Sequence, residues 1–190
     1  MPASSDFDRV PVVIALAGRR VDAPGATPSR FPPENVDSVR DRILRLFEAR
    51  KATALVCSGA CGADLLALEA AERLQMRRRV VLPFSRDIFR RTSVVDRPGD
   101  WGTSYDRALD KVEDQNDLVV LGRAEQDSDA YVATNYAILD EAVSLGRELD
   151  LRVVAVVVWD RQSRGPDDIT EQFLNEAARR DIEVSPVPTL

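Results

Sequence analysis

The chain has 190 residues, 44% hydrophobic and 31% charged, with 26 Lys and Arg against 32 Asp and Glu. That length and composition fit one globular domain, expected over residues 10–190 behind a flexible N-terminal tail of residues 1–9. A formal net charge of −6 argues against a nucleic-acid partner, and the absence of histidine removes the usual general base, the commonest metal ligand and the Ser-His and Cys-His nucleophile pairs.

Pro11 to Ala17 is an apolar, partly β-branched run, predicted as the first strand and ending at Gly18-Arg19-Arg20. A Pro- and Gly-rich loop follows, and then Val36, Val39, Ile43, Leu46 and Phe47 recur at helical spacing. Thr53 to Cys57 is predicted as the second strand and Ala63 to Gln75 as the second helix. Arg79 to Leu82 is a short third strand, closed by Pro83-Phe84. Ser85 to Gly102 reads as a long connection without strong periodicity. Helices are predicted around Tyr105–Gln115, Asn135–Leu149 and Ile169–Arg180, with strands at Asp117 to Leu121, Leu151 to Val158 and Ile182 to Val187. Such alternation predicts an α/β fold: a mostly parallel sheet of five to six strands with helices on both faces. The first residues lack the basic and apolar parts of a leader, and no apolar run approaches a membrane span. A cytoplasmic location without a membrane partner is therefore expected, and self-association is left open.

In a parallel sheet, ligands bind beyond the carboxyl ends of the strands. Those ends carry Gly18-Arg19-Arg20, the Ser58–Gly62 turn, Pro83-Phe84, Gly122-Arg123 and Trp159-Asp160. The most informative of these is Ser58-Gly59-Ala60-Cys61-Gly62-Ala63-Asp64, where a strand passes through a small-residue turn into a helix. Backbone N–H groups at such a turn, with the positive end of the helix dipole, favour an anion. Gly59 and Gly62 let backbone approach a phosphate closely. A phosphate-bearing ligand, a nucleotide in the leading reading, is predicted on Ser58, Gly59, Ala60, Cys61 and Gly62. Asp64 would repel a phosphate in the same space, so it is expected to cap the helix or hold loop groups. Cys57 and Cys61 lack further Cys or His partners for a zinc site and read as small packed residues. No metal is expected, and no cofactor beyond the nucleotide-derived ligand itself.

Other positions carry two readings each. Arg19, Arg20 and Arg30 can pair with phosphate oxygens or lie in solvent. Asp160 can accept ribose hydroxyls with Trp159 near a base, or the pair can close a buried strand. Asn135 can contact ligand or cap a helix. Phe84, Phe89 and Trp101 can form an aromatic lid or the core under the long connection. Arg77-Arg78-Arg79, at the opposite strand end, reads as solvated surface.

The turn Ser58–Asp64 also resembles the Ser-Gly-Gly-Ala-x-Gly-Ala-Asp signature of the SLOG superfamily, named for the DNA-processing protein DprA and the Lonely Guy cytokinin-activating enzymes. More narrowly, the chain resembles a bacterial branch found alone or fused to signalling modules. The matching residues are Gly18 and Arg20, Arg30-Phe31-Pro32, Ala60 to Asp64, Leu82-Pro83-Phe84, Phe89 with Ser93-Val94, Tyr131 with Asn135, and Val158-Trp159-Asp160. The resemblance implies a Rossmann-like sheet whose strand-end pocket binds a nucleotide or nucleotide derivative. It implies a site of Gly18, Arg20, Ser58, Gly59, Ala60, Cys61, Gly62, Pro83, Phe84, Asn135, Trp159 and Asp160. Lonely Guy hydrolases carry Pro-Gly-Gly-x-Gly-Thr-x-x-Glu. Here Pro98-Gly99-Asp100-Trp101-Gly102-Thr103-Ser104-Tyr105 departs from that pattern, with Asp at the middle Gly.

Three functions are therefore weighed. The first is a sensing module for a nucleotide-derived signal. The second is a nucleoside 5′-monophosphate N-glycosidase using a carboxylate such as Asp160 or Glu125. The third, single-stranded DNA binding by analogy with DprA, sits poorly with the acidic balance.

Overall fold

The computed structural model describes residues 10–190; the tail expected over residues 1–9 lies outside the described residues. Six strands form one sheet: β1 (Val12–Gly18), β2 (Ala52–Cys57), β3 (Arg77–Leu82), β4 (Leu118–Val120), β5 (Arg152–Trp159) and β6 (Glu183–Pro188). Their order is β4-β3-β2-β1-β5-β6, and every neighbouring pair runs parallel. The chain builds outward from β1 through β2 and β3 to β4, then returns to the other side of β1 for β5 and β6. The direction of winding therefore changes between β1 and β5, the position where doubly wound sheets open a crevice.

Helices α1 (Val36–Ala49), α2 (Ala63–Arg73), α3 (Arg86–Ser93) and α4 (Trp101–Asp114) cover one face; α5 (Ala130–Leu149) and α6 (Ile169–Arg179) cover the other. The alternation of strand side chains divides the core accordingly. Val12, Ile14 and Leu16 of β1 pack with Val39, Ile43 and Phe47 of α1, whereas Val13, Ala15 and Ala17 pack with Ile138, Leu139 and Ala142 of α5. Each fully buried aliphatic or aromatic side chain contributes about 1.5–3 kcal/mol against leaving it in water. Burial on both sides explains why β1 and β5 read as nearly unbroken apolar runs.

Three expectations change. The connection over residues 85–102 contains α3, whose buried Phe89 and Ser93 tie an otherwise charged helix to the core. Asn135 does not begin a helix: α5 starts at Ala130 behind Asp129, so Asn135 lies in its second turn. Arg77–Arg79 are not free in solvent. Arg77 and Arg79 grip Asp117 from two sides at 2.8–3.0 Å, and Arg78 is buried.

Candidate functional site

Beyond the carboxyl ends of β1 and β2 lies a cavity of about 570 Å³, a size within the range of small-molecule sites. The end of β1 supplies Leu16, Ala17 and Gly18. Helix α5 contributes Tyr131, Thr134, Asn135 and Ile138, the turn after β2 contributes Ser58, Ala60 and Asp64, and α6 contributes Ile169 and Thr170. Phe89 and Ser93 of α3, Arg97, Arg164 and the 19–30 loop complete the wall. A hydrogen bond of 2.8 Å between Ser93 Oγ and Tyr131 Oη ties α3 to α5 at this wall.

The turn after β2 is wired differently from an open phosphate seat. The N–H groups of Gly59 and Ala60 donate to Asp64 Oδ2, at 3.1 and 3.0 Å. Cys61 N–H donates to the Ser93 carbonyl at 3.0 Å and Ala63 N–H to the Arg19 carbonyl at 3.2 Å. The preference of a helix start for negative charge is thus met from within, by the chain's own carboxylate. Gly62 has φ +98°, and a Cβ there would lie 2.7 Å from the Val21 nitrogen and 2.9 Å from the Arg19 oxygen. Its glycine is required by the 19–21 backbone lying on it. Ser58 and Ala60 reach the cavity wall; Gly59, Cys61 and Gly62 are buried behind it.

Asp64 is itself buried, and while Oδ2 takes two amides, Oδ1 has no hydrogen-bond partner. Burial pushes its pKa up to about 6, against the two amides that hold it down. The neighbouring thiols are unreactive in character: burial raises Cys57 well above its ordinary range and Cys61 to about 11.

Of the three arginines near the end of β1, Arg19 is structural. Its side chain is 2% exposed, with Nε on Asp160 Oδ1 at 3.0 Å and Nη1 and Nη2 on Asp168 Oδ1 and Oδ2 at 2.6 and 2.7 Å. Asp168 also caps α6 by accepting the Thr170 and Glu171 amides. Burial disfavours charge on Asp168, but the Arg19 guanidinium and the Arg164 and Glu171 amides outweigh it and lower its pKa. Arg30 takes the second oxygen of Asp160 at 2.6 Å. Asp160 therefore has both oxygens held by arginines and is not in the cavity wall, so it is not placed to receive ribose hydroxyls. Trp159 lies under Arg19, 5.8 Å from ring centre to guanidinium, also outside the wall.

The remaining expected residues divide. Gly18 and Arg20 line the cavity. At Gly18 a Cβ would lie 2.5 Å from Ala63 Cβ, so packing alone demands glycine. Pro83 and Phe84 are buried one layer back, Phe84 edge-on to Tyr131 at 5.8 Å between ring centres. Asn135 lines the cavity and donates from Nδ2 to the Ile169 carbonyl at 2.7 Å, fastening α5 to the start of α6. Glu125, the other carboxylate weighed for hydrolysis, pairs with Arg91 at the surface. Three residues that sequence reading did not single out as site groups stand in or behind the wall: Arg97, Arg164 and Asp168. Only Asp168 carries a local signal, an Asp followed three residues later by Glu171 at a helix start. Arg164 lines the cavity with no ion-pair or hydrogen-bond partner for its guanidinium among the described residues. Its pKa is lowered by burial and by the positive charges of Arg19 and Arg30.

Among the described residues there is no helix long and apolar enough to cross a membrane, and no group of three His, Cys, Asp or Glu set to hold a metal ion. No family model matches the sequence, and no curated protein matches it. Among solved structures, the chain is similar to DNA processing protein A (DprA) from Streptococcus pneumoniae, at 15% identity and a TM-score of 0.40. That match covers 95% of this chain and 60% of the DprA chain, so this chain spans less than two thirds of that protein's length.

Proposed function

We propose that the strand-end cavity binds a nucleotide or nucleotide-derived signal and that the chain is a sensing module rather than a hydrolase. The observation that carries this reading is the composition of the cavity wall. Arg20, Arg97 and Arg164 give it cationic side chains, Ser58, Thr134 and Asn135 give it hydrogen-bonding groups, and Leu16, Phe89 and Ile138 give it apolar surface. A nucleotide presents the same three chemistries as phosphate, sugar and base. The cavity also lies at the carboxyl end of the strands, beside the change in winding between β1 and β5. The donors to the phosphate are then arginine side chains rather than the Gly59 and Ala60 amides, which already donate to Asp64.

Sensing is preferred to hydrolysis because the two carboxylates weighed as catalytic groups, Asp160 and Glu125, are paired with arginines away from the cavity wall, and the carboxylates in the wall hold backbone: Asp64 the Gly59 and Ala60 amides, Asp22 the Arg30 and Phe31 amides. Several of the walls are loops and short helices, whose arrangement a ligand can bias by binding one state better than another.

The test is a thermal-shift screen of mono-, di- and cyclic nucleotides, paired with an assay for released base. A ligand at 100 times its Kd adds about 2.7 kcal/mol of stability. Stabilisation by a nucleotide without base release supports the reading. A flat response across the panel removes it, and base release from a nucleoside monophosphate replaces it with the N-glycosidase.

A further inference from the structure

The connection between α3 and α4 places a carboxylate between two arginines of the cavity wall. Arg20 Nη1 donates to both oxygens of Asp96, at 3.0 and 2.9 Å, and Arg97 Nη1 donates to Asp96 Oδ2 at 2.6 Å. Both guanidiniums are steadied by backbone as well. Arg20 donates to the Thr92 carbonyl at 3.2 Å and Arg97 to the Asp96 carbonyl at 3.0 Å. Arg20 and Arg97 line the cavity, whereas Asp96 does not. All three side chains are reachable from solvent, at 32%, 23% and 29% exposure for Arg20, Arg97 and Asp96.

We propose that Arg20 and Arg97 form the anion seat of the cavity, and that Asp96, which pairs with both guanidiniums from outside the wall, gives them up to a phosphoryl group of the ligand. This rests on the nucleotide reading above and names the residues that meet its phosphate. The chemistry is an exchange of anions. Two guanidiniums converge on one carboxylate, the arrangement that also suits phosphate oxygens. A single carboxylate leaves one of the two positive charges unbalanced, while a terminal phosphate monoester carries close to two negative charges at neutral pH. The phosphate therefore matches the pair better than Asp96 does. Because Asp96 is near the surface, it moves into water on exchange without the penalty of a buried unpaired charge. The exchange frees Asp96 from Arg20 while Arg97, on the same α3–α4 connection, holds the ligand, which couples occupation of the cavity to the conformation of that segment.

The experiment is calorimetric titration of inorganic phosphate, at constant ionic strength, into the wild-type chain and into Asp96→Asn, Asp96→Ser and Arg97→Gln, followed by the same titration with the best nucleotide of the screen. A partly exposed ion pair contributes up to about 1 kcal/mol, which converts to about fivefold in affinity. Both Asp96 variants are expected to bind phosphate up to about fivefold more tightly, and Arg97→Gln at least about fivefold more weakly. The unfolding midpoint of each variant without phosphate reports whether its fold is intact, and the second Asp96 variant serves if the first is not. Unchanged or weaker phosphate binding by a folded Asp96 variant overturns the proposal, as does undiminished binding by folded Arg97→Gln. The two readings fail separately. Tighter phosphate binding by the Asp96 variants with no nucleotide binding at all keeps the seat and removes the nucleotide. Equal nucleotide affinity in all four proteins keeps the nucleotide and removes the seat.

Discussion

Replacing Arg19 by Met separates a structural arginine from a ligand-binding one. Its side chain is 2% exposed, and the carboxylates of Asp160 and Asp168 that it joins are each 1% exposed. Breaking a buried ion pair from one side costs about 3–5 kcal/mol, because the partner charge stays buried. Here both partners keep some compensation. Asp160 retains Arg30 at 2.6 Å, and Asp168 retains the Arg164, Thr170 and Glu171 amides. Methionine also preserves much of the packing of the arginine stem. The expected loss is therefore near the low end, about 3 kcal/mol, or roughly 6–12 °C in Tm for a domain of this size. The sign of the pH dependence follows from Asp168. Its pKa is held below the usual carboxylate range, so in the wild type it contributes stability above that range, lost as pH falls through its lowered value. In Arg19→Met burial dominates and the same carboxyl protonates more readily. The deficit should therefore be largest near pH 7 and shrink in acid. Urea denaturation followed by the fluorescence of Trp101 and Trp159 measures both. A loss below about 1 kcal/mol at pH 7 would refute the reasoning, since it is only what an exposed pair contributes. So would a deficit that grows in acid, or a fully stable variant that no longer binds nucleotide.

Asp64→Asn should change the slope of stability with pH. The Asp64 pKa is raised to about 6 from an ordinary 3.8, a difference worth about 3 kcal/mol. Its favourable contribution is complete below pH 4 and lost as pH rises through about 6, opposite to Asp168. Subtracting the Asn variant's stability-versus-pH curve from that of the wild type should isolate this term, and a flat difference between pH 4 and 7 would contradict it. Gly62→Ala combines positive φ with a Cβ 2.7 Å from the Val21 backbone nitrogen. It should cost at least about 1–3 kcal/mol in chemical denaturation, and wild-type stability would show that the 19–21 backbone is free to move.

Much of the architecture is legible in the sequence because the strands are buried on both faces. Arg152–Trp159 is apolar after its first residue, and six parallel strands follow from such runs alternating with helical periodicity. Helix ends are legible where local chemistry marks them, as with Asp168 before Ile169. Helix α3 is not, because eight residues with only Ile88 and Phe89 as large apolar groups give too little period to read. Gly18, Arg20, Ser58, Ala60 and Asn135, which line the cavity, are expected there from the strand ends and, for Asn135, from the family resemblance. The pairing of charges is not. That Asp64 turns inward onto Gly59 and Ala60, that Arg19 closes on Asp160 and Asp168, and that Asp96 closes on Arg20 are contacts between residues 4 to 149 positions apart. Only the three-dimensional path of the chain decides them. Glycine signals mislead for a related reason: Gly18 and Gly62 are demanded by neighbouring protein, and a ligand would impose the same requirement.

The central claim, a nucleotide site at the strand-end cavity, is tested most directly by a ¹H–¹⁵N NMR titration of the wild-type chain with the strongest binder from the nucleotide screen. Saturable shifts are predicted for the backbone amides of Gly18, Arg20, Ser58, Asn135 and Thr170, which border one cavity but come from four separate segments. Shifts confined to other surfaces, or none at millimolar nucleotide, would contradict it.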